Sequence, residues 1–396
     1  MNLGDLKRIE AAQVWKAGVP AAQLRRATNE VVFEYDPGYT GPAVALSLPR
    51  GCAPVRCPGG ALPPFFSGLL PEGRRLTAIR RAAKTSADDE LTLLLALGAD
   101  TVGDVQVLPC HHPPADTEPA GVDLAEADFG ELLERAVGND PSDLAAIAGA
   151  QDKVSGRMIS LPLQYEGAAY LLKLDPPEFP HLVANEAFFA AAARASGLPT
   201  AETTVVHDRH GRPGLLVRRF DRVRTANGLR RLAQEDGCQV LGRYPADKFR
   251  LTTEQVVQAL AAPCGAPVVA ARDLIQQVAF AYLTGNGDLH AKNLSILLAD
   301  EWRVTPAYDL PSSYPYGDTT MAMTIGGKDR EDLGRADFLA LGEACGVPPR
   351  AIARGLDRLL LAMPNWLDRL DELPFDRRRV HKLRQACRYR AQRLRG

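Results

Sequence analysis

The chain has 396 residues, of which 46% are hydrophobic and 24% are charged, and its 47 basic and 48 acidic residues nearly cancel. This composition is typical of a globular protein and excludes a disordered chain, a coiled coil and a membrane-embedded protein. The formal net charge of −1 also excludes a polycation that coats nucleic acid, so any basic surface must be local. The length predicts more than one folded unit.

The seven cysteines are scattered and include no Cys-x-x-Cys pair, so neither a zinc motif nor a thioredoxin-like motif is indicated. The first ten residues contain charges and no apolar run, and we expect no secretory signal peptide. The longest apolar run, at 91–99, is too short to cross a bilayer. We therefore expect a reduced, cytoplasmic protein without membrane contact.

Apolar periodicity and turn signals predict three segments along the chain. The first, 1–112, is a small α/β subdomain with strands at 30–35 and 43–48 and a helix at 86–97. A proline-rich polar stretch then indicates a linker. The second segment, 113–222, is strand-rich. Its predicted helices are 124–137 and 182–196, and its predicted strands are 158–163, 168–174, 203–207 and 214–220.

The third segment, 223–396, is predicted to be mainly helical, with one hairpin formed by 294–298 and 302–308. A strand-rich lobe followed by a helical lobe predicts an α+β, bilobal fold, and the cleft between such lobes is a natural ligand site. The predicted helices of this segment are 254–261, 268–284, 336–344, 351–362 and 376–395.

A loop of the third segment carries the strongest chemical pattern. It reads GNGDLHAKN at 285–293, after a predicted long helix and before the predicted hairpin. Phosphoryl transfer needs an oriented acceptor hydroxyl and a bound metal ion. Asp288 can take the hydroxyl proton, and the side-chain oxygen of Asn293 can bind Mg²⁺. Asp309, where the hairpin ends, is the candidate second metal ligand.

Each of these pieces also has an ordinary structural interpretation. An Asp-x-x-x-x-Asn spacing arises by chance, and Asp309 could simply cap a turn. The order of loop, hairpin and aspartate is more specific than either piece, and it favours a phosphotransferase.

Two features of the second segment suit the phosphates of a nucleotide. The small residues at 148–153 would let backbone amides approach phosphates, although a Gly-Ala turn is common. Lys173 lies inside an apolar strand, where lysine is rarely buried without an anionic partner. Glu186, early in the next helix, is the candidate partner. The alternatives are a solvent-facing edge-strand lysine and a plain early-helix acid.

These features occur in the order found in protein-kinase-like folds, and their local spellings resemble the HipA family of bacterial serine/threonine kinases, which act as toxins of toxin–antitoxin pairs. The resemblance implies a bilobal protein-kinase-like fold preceded by a small N-terminal α/β subdomain. The resembling stretches cover most of the chain: LPPFFSGLLPEG (62–73), LGADTVGDV (97–105), AGAQDK (148–153), YLLKL (170–174), RRFDR (218–222), QEDGCQVLG (234–242), GNGDLHAKNLSIL (285–297), PAYDL (306–310) and MAMTIGGK (321–328).

The resemblance implies ATP and Mg²⁺ as cofactors and assigns roles to individual residues. Asp288 would be the catalytic base, and Asn293 and Asp309 would hold Mg²⁺. Lys173 would bind the α/β-phosphates, and the stretch 218–220 would meet adenine mainly through its backbone. The implied ATP-binding residues are Ala148, Gly149, Ala150, Gln151, Asp152, Lys153, Lys173, Glu186, Arg218, Arg219, Phe220, His290, Lys292 and Tyr308.

The sequence departs from related patterns at two positions. Asp309 is followed by Leu-Pro and not by the Phe-Gly of eukaryotic kinases, so their phenylalanine switch is not expected. Ala146 occupies the position at which many HipA proteins carry a serine whose autophosphorylation silences the kinase, so this chain cannot be silenced there. The stretch 234–239 matches the family but suggests no role by itself.

The resemblance implies a helix-turn-helix antitoxin of the HipB type as a partner, DNA reached indirectly through it, and a protein substrate such as an aminoacyl-tRNA synthetase, bound to tRNA. Two other functions stay open. Aminoglycoside-type phosphotransferases have a similar loop, but their asparagine lies one residue later and they lack the 62–73 segment. The second open function is that of a non-catalytic co-repressor that binds the antitoxin. The sequence argues against it, because no catalytic position is missing.

The C-terminal stretch 377–395 contains eight arginines and one lysine. Its apolar residues recur at helical spacing, which predicts an amphipathic helix with a basic outer face. That face is either solvated or a patch for tRNA-bound substrate, for DNA or for an acidic partner.

Overall fold

The computed structural model describes residues 3–114, 121, 123–124, 126–132, 159–175, 179–226 and 228–396. The chain separates into two compact units. The first comprises 1–178, 206–235 and 242–245, and the second comprises 179–205, 236–241 and 246–396. The candidate phosphate loop, Ala148 to Lys153, and Ala146 lie outside the described residues, as does the predicted helix beyond Leu132.

The first unit begins with a five-stranded antiparallel sheet in the order β4-β3-β2-β1-β5. In β1, Ala12 and Val14 are fully buried while the residues between them are partly exposed, as expected for a sheet with one face on the core. Leucines of helix α3 (Glu90–Leu97) belong to the same hydrophobic cluster as Ala12 and Val14. The elements are β1 (Ala11–Lys16), β2 (Val19–Ala27), β3 (Glu30–Tyr35), β4 (Val55–Pro58), α1 (Pro64–Ser67), α2 (Gly73–Ala82), α3 (Glu90–Leu97) and β5 (Val105–Pro109).

The stretch 43–48, predicted as a strand, folds back on itself, and that prediction is wrong. A single antiparallel bridge joins Ala45 to Leu48. The hydroxyl of Tyr35 accepts a hydrogen bond from the backbone of Val44 at 2.8 Å and donates to the carbonyl of Leu48 at 2.5 Å. Prolines bound this stretch on both sides and cannot donate to a strand ladder. The apolar run is therefore buried around a tyrosine.

A second antiparallel sheet of the first unit carries the candidate ATP lysine. Strand β6 (Ile159–Tyr165) pairs with β7 (Ala168–Leu174), and β7 pairs with β9 (Pro213–Arg218). The fourth strand is β8 (Thr203–His207), within which the chain enters this unit. These strands agree with the predicted ones to within two residues, because alternating apolar residues mark them clearly.

Two short strands follow that the sequence does not predict. Strands β10 (Arg222–Thr225) and β11 (Gly228–Arg231) form an antiparallel hairpin. Each has four residues and only one apolar residue, so neither gives a strand signal. The chain then passes into the second unit through β12 (Ala233–Asp236).

The second unit is mainly helical, as predicted. Strands β13 (Ser295–Leu298) and β14 (Trp302–Val304) form its hairpin. Residues 279–283 of helix α7 are fully buried, which makes α7 a central element of this core. The helices are α4 (Leu182–Ala195), α5 (Gly237–Val240), α6 (Thr253–Ala261), α7 (Pro267–Thr284), α8 (Arg335–Ala344), α9 (Pro349–Leu367) and α10 (Arg377–Arg395).

The combination of antiparallel sheets and helices confirms the predicted α+β class. Helix α9 runs five residues beyond its predicted end and continues through Pro364, because Trp366 and Leu367 are buried on its apolar face. Within the described ranges, no helix combines the length and apolar character needed to span a membrane.

Candidate active site

The loop that carries Asp288 begins where helix α7 ends. Gly285 follows α7 in the left-handed conformation, with φ of 72°, which a residue with a side chain adopts only at a cost. A Cβ atom at this position would also lie 3.0 Å from the Cβ of Tyr314. Glycine therefore lets the chain turn from a buried helix directly into the loop.

Asn286 links Asp288, the predicted catalytic base, to Asp309, a predicted metal ligand. Its Oδ1 accepts a hydrogen bond from the backbone N–H of Asp288 at 3.0 Å, and its Nδ2 donates to the carbonyl of Asp309 at 3.3 Å. The residue is only 1% exposed, so solvent does not compete for these bonds. A single side chain thus brings together two residues that are 21 positions apart in the sequence.

Asn293 turns back onto Asp288 through a single 3-10 turn. Its Nδ2 donates to the carbonyl of Asp288 at 3.0 Å, and its backbone N–H donates to the carbonyl of His290 at 2.8 Å. Since the amide nitrogen is directed at a carbonyl, the amide oxygen is the end of the side chain suited to a cation. The orientation fits the predicted ligand role of Asn293.

Asp309 has an uncommon backbone conformation, with φ of 52°. Aspartate tolerates the left-handed region better than most residues, yet the conformation still costs on the order of 1 kcal/mol. The residue is 6% exposed. A buried acid in a strained conformation is typical of functional sites, where surrounding contacts hold the strain.

The segment that follows Asp309 is cross-linked to the loop through backbone groups. The carbonyl of Gly285 accepts hydrogen bonds from the backbone N–H groups of Ser313 at 3.0 Å and Tyr314 at 3.1 Å. The hydroxyl of Ser313 accepts from the N–H of Gly287 at 2.7 Å. The loop and the segment after Asp309 therefore behave as one rigid piece of backbone.

Lys292 and Tyr308, both predicted to bind ATP, contact neighbouring protein groups. The Nζ of Lys292 lies 3.1 Å from Oδ2 of Asp236, and Asp236 also caps helix α5. The carbonyl of Lys292 accepts a hydrogen bond from the hydroxyl of Tyr308 at 3.0 Å. Burial raises the pKa of Tyr308, so the phenol stays neutral. The stretch 234–239 thus acquires a structural role, because its aspartate anchors the loop at 285–293 through Lys292.

His290 is 1% exposed and packs edge-on against Phe249, with ring centroids 5.1 Å apart. The ring of Phe249 is half exposed, and the Nζ of Lys248 lies 5.1 Å from its centroid. His290 is therefore a buried ring whose aromatic partner is half exposed.

The remaining predicted ATP-binding residues divide between the two units. Lys173, in β7 of the first unit, is 4% exposed, and Glu186, in α4 of the second unit, is 2% exposed. Burial of a charged residue requires compensation by an opposite charge or by hydrogen bonds. Both residues are thus buried as a pairing would demand, and the pairing itself stays a prediction.

The RRFDR stretch forms a buried charge cluster inside the first unit. The guanidinium of Arg219 lies 2.9 Å from carboxylate oxygens of both Asp100 and Asp221, and that of Arg222 lies 2.8 Å from the same two residues. Burial by itself would raise the pKa of Asp221, but Arg219 and Arg222 lower it to about 2. The cluster ties the N-terminal subdomain to the second sheet through Asp100.

The contacts in this cluster limit which groups of the stretch 218–220 are available to bind a nucleotide. The side chain of Arg219 is committed to two carboxylates, and its backbone N–H donates to the carbonyl of Ala169 at 2.9 Å. Arg218 is exposed and Phe220 is half-buried. Adenine contacts from these three residues stay a prediction.

Sequence reasoning missed several residues of the site, and some of them carried a signal. Asp236 and Gln239 have the spacing of a capping box. Asn185 is a polar residue on an apolar, alanine-rich helix; its side-chain amide donates to the carbonyl of Ser312 at 2.8 Å and accepts from its N–H at 2.9 Å. Asn286 had no local signal, because its partners are set by tertiary structure.

The donor set around Asp288 fits a hard divalent cation. Mg²⁺ prefers oxygen ligands and usually takes one or two carboxylates from the protein, with phosphate and water oxygens completing the shell. Asp309 supplies a carboxylate and Asn293 an amide oxygen, both on buried, hydrogen-bonded backbone. These residues therefore fit the predicted metal ligands in their chemistry, and their role as ligands stays a prediction.

Comparison with known proteins gives two family matches. Residues 145–367 match the HipA-like C-terminal domain, and residues 12–108 match the HipA N-terminal domain. Together they cover the loop, the hairpin, both sheets and the charge cluster.

Individual relatives agree with these matches. Y4mE of Sinorhizobium fredii, described by name as a kinase, is 32% identical over 84% of this chain and 85% of its own. The serine/threonine-protein kinase toxin HipA of Shewanella oneidensis is 27% identical over 76% of this chain and 75% of its own. The structure of Shewanella oneidensis HipA with HipB and operator DNA has a TM-score of 0.77 at 22% identity, covering 97% of each chain, which confirms the predicted fold.

Proposed function

The chain belongs to the HipA family, and from this premise we propose that it is an ATP- and Mg²⁺-dependent serine/threonine protein kinase and the toxin of a toxin–antitoxin pair. The observation that carries the proposal is the hydrogen-bonded arrangement in which Asn286 joins Asp288 to Asp309 and Asn293 bonds to Asp288. Its order and chemistry are those required for phosphoryl transfer to a hydroxyl group.

Asp288 has the role of the general base. Its carboxylate orients the acceptor hydroxyl and takes the proton as the hydroxyl oxygen bonds to the γ-phosphorus and the bond to the β–γ bridging oxygen breaks. The backbone N–H of Asp288 donates to Asn286 and its carbonyl accepts from Asn293, and these two hydrogen bonds fix the backbone that carries the carboxylate. Mg²⁺, held by Asn293 and Asp309, supplies charge neutralisation on the phosphates.

The nucleotide-binding part of the proposal has two groups of residues. Lys173 binds the α/β-phosphates and is positioned by Glu186, while the backbone at 148–153 cradles the phosphates and 218–220 meets adenine. Lys292 and His290 act from within the loop, and Tyr308 acts from the position before Asp309. The contacts of Lys292 with Asp236 and Tyr308 support a role in holding the loop beside the nucleotide.

We propose a helix-turn-helix protein of the HipB type as the antitoxin, with operator DNA bound through it, and a cytoplasmic location. The Shewanella oneidensis relative was solved as a complex with HipB and operator DNA, which supports this pairing. A translation component such as an aminoacyl-tRNA synthetase is the proposed target. Because Ala146 cannot be phosphorylated, we propose that the antitoxin restrains the kinase.

Two variants test the proposed chemistry. Asp288→Asn and Asp309→Ala should lower phosphate transfer from radiolabelled ATP into proteins of a bacterial lysate by about 100-fold or more, and both should abolish growth arrest on expression. Asn365→Ala, an exposed change on α9, is the matched control. Equal labelling by the wild type and both active-site variants would reject the assignment.

The same assay separates the rival functions. A small-molecule phosphotransferase would consume ATP with aminoglycosides or sugars and label no protein. A co-repressor without catalysis would bind ATP and the antitoxin and transfer no phosphate to either class of acceptor. The match of 12–108 to the HipA N-terminal domain favours the protein kinase over the small-molecule enzyme.

A further inference from the structure

Helix α10 places one arginine in the interior of the second unit. Arg390 is 1% exposed and is the largest fully buried side chain among the described residues. No described carboxylate lies within ion-pair distance of its guanidinium, and its Nε has no hydrogen-bond partner in the same set of residues. A buried cation with so little compensation lowers the stability of the fold. The groups that Arg390 contacts therefore indicate why an arginine is placed here.

The guanidinium of Arg390 binds two backbone carbonyls. Its Nη1 donates to Tyr282 at 2.8 Å, and its Nη2 donates to Thr319 at 2.8 Å. It also lies 5.2 Å from the ring centroid of Tyr282 and 5.9 Å from that of Tyr314. Tyr282 is in the last turn of α7, where the helix dipole favours a positive charge.

Both contact points flank the backbone that leads to Asp288. Tyr282 lies three residues before Gly285, and a Cβ atom on Gly285 would lie 3.6 Å from Nη1 of Arg390. Thr319 lies in the 318–320 loop, and a Cβ atom on Gly287 would collide with the carboxylate of Asp318 and the carbonyl of Thr320. Arg390 thus binds the backbone before the short stretch 285–287, at Tyr282, and the backbone packed against it, at Thr319.

We propose that Arg390 is a positioning residue, which fixes the backbone at 285–287 and thereby the direction in which Asp288 presents its carboxylate. The inference rests on the proposed kinase function and adds a part of the machinery that comes from the C-terminal helix. A guanidinium suits this role because its planar fork reaches two carbonyls at once, whereas an ammonium is a point charge. Helix α10 thus has a buried function besides its basic outer face.

Arg390→Ala, Arg390→Lys and the exposed control Arg388→Ala test the role. With labelled lysate protein as the readout, Arg390→Ala should lower the maximal rate of phosphate transfer about 30-fold and change the KM for ATP less than about threefold. Added guanidinium ion should raise the maximal rate of Arg390→Ala about tenfold, and it should leave the rate of Arg388→Ala unchanged. Arg390→Lys should lie between the wild type and Arg390→Ala, since a lysine keeps the charge and loses the fork.

Backbone amide exchange gives a second readout that needs no kinase activity. The N–H groups of Asp288 and Asn293 are bonded within the loop, and they should exchange faster in Arg390→Lys than in Arg388→Lys. The inference would be overturned if Arg390→Ala transferred phosphate as fast as Arg388→Ala, showed no rescue by guanidinium ion, and if amide exchange in Arg390→Lys equalled that in Arg388→Lys. A wild-type protein that transfers no phosphate, combined with faster exchange in Arg390→Lys, would instead refute the proposed function and leave Arg390 as the support of this loop.

Discussion

Lys292 and Asp236 form an ion pair inside the second unit, with Nζ and Oδ2 3.1 Å apart and side chains 5% and 11% exposed. The two residues are 56 positions apart. Breaking a buried pair by removing one partner leaves the other charge uncompensated, which is far more costly than the loss of an exposed pair.

We therefore expect Asp236→Asn to lower the free energy of unfolding by about 3 kcal/mol and to reduce phosphate transfer. A double-mutant cycle with Lys292→Met should show non-additive losses, because the two side chains contact each other. Urea denaturation measures the stabilities.

The exposed pair Lys328–Asp337, at 2.8 Å, is the matched control for this cycle. Asp337 also caps helix α8, so the relevant quantity is the coupling energy with Lys328→Met, which should stay below about 1 kcal/mol. A coupling for Lys292 and Asp236 as small as that of the control would show that the pair does not hold the loop.

Asn286 makes two different hydrogen bonds, and two variants separate them. Asn286→Asp can still accept from the N–H of Asp288 but can no longer donate to the carbonyl of Asp309. We expect Asn286→Ala to lose about 2 kcal/mol of stability and most of its phosphate transfer. Asn286→Asp should keep the loop folded and lose the activity that depends on Asp309. Initial rates and thermal midpoints, with Asn365→Ala as the control, check both expectations.

Two variants of Asp309 distinguish the strain of its left-handed backbone from the chemical role of its carboxylate. Asparagine tolerates positive φ at least as well as aspartate, whereas alanine does not. We expect Asp309→Asn and Asp309→Ala to be equally inactive. The free energy of unfolding of Asp309→Asn should exceed that of Asp309→Ala by about 1 kcal/mol. Denaturant unfolding measures the difference. Equal stabilities would mean that this conformation is not strained in the folded protein.

The charge cluster around Asp221 predicts a specific acid sensitivity. Arg219 and Arg222 lower the pKa of Asp221 to about 2, below its ordinary value of 3.8. A carboxyl group with a lowered folded-state pKa contributes stability above its unfolded-state pKa, and this contribution is lost as the pH falls toward the folded value. The stability difference between wild type and Asp221→Asn should therefore be constant above about pH 5 and shrink between about pH 4 and pH 2.

Unfolding free energies at a series of pH values measure this difference. Asp376→Asn, at the exposed N-cap of α10, is a suitable control, because asparagine caps a helix about as well as aspartate and the stability difference should be small at every pH. A difference between wild type and Asp221→Asn that stays constant down to about pH 2 would contradict the pairing of Asp221 with the two arginines.

The sequence by itself determined most of the regular elements and the identity of the chemical groups. Alternating apolar residues located β7, and helical periodicity located α7, because both signals lie within a few adjacent residues. The spacing of Asp288 and Asn293 and the later position of Asp309 predicted a phosphotransferase-like site from local order alone, and the roles of these three residues stay predictions. The same periodicity predicted the amphipathic helix α10, but it did not distinguish the buried Arg390 from the arginines of the basic outer face.

Only the tertiary structure decided which groups meet. Arg219 pairs with Asp100, which lies 119 residues earlier, and Lys292 pairs with Asp236, in a stretch that suggested no role. The apolar run at 43–48 became a turn because Tyr35 offers it hydrogen bonds. A sequence encodes the polarity and reach of each side chain, but a buried polar group is stabilised by whichever partner the folded chain brings within about 3 Å.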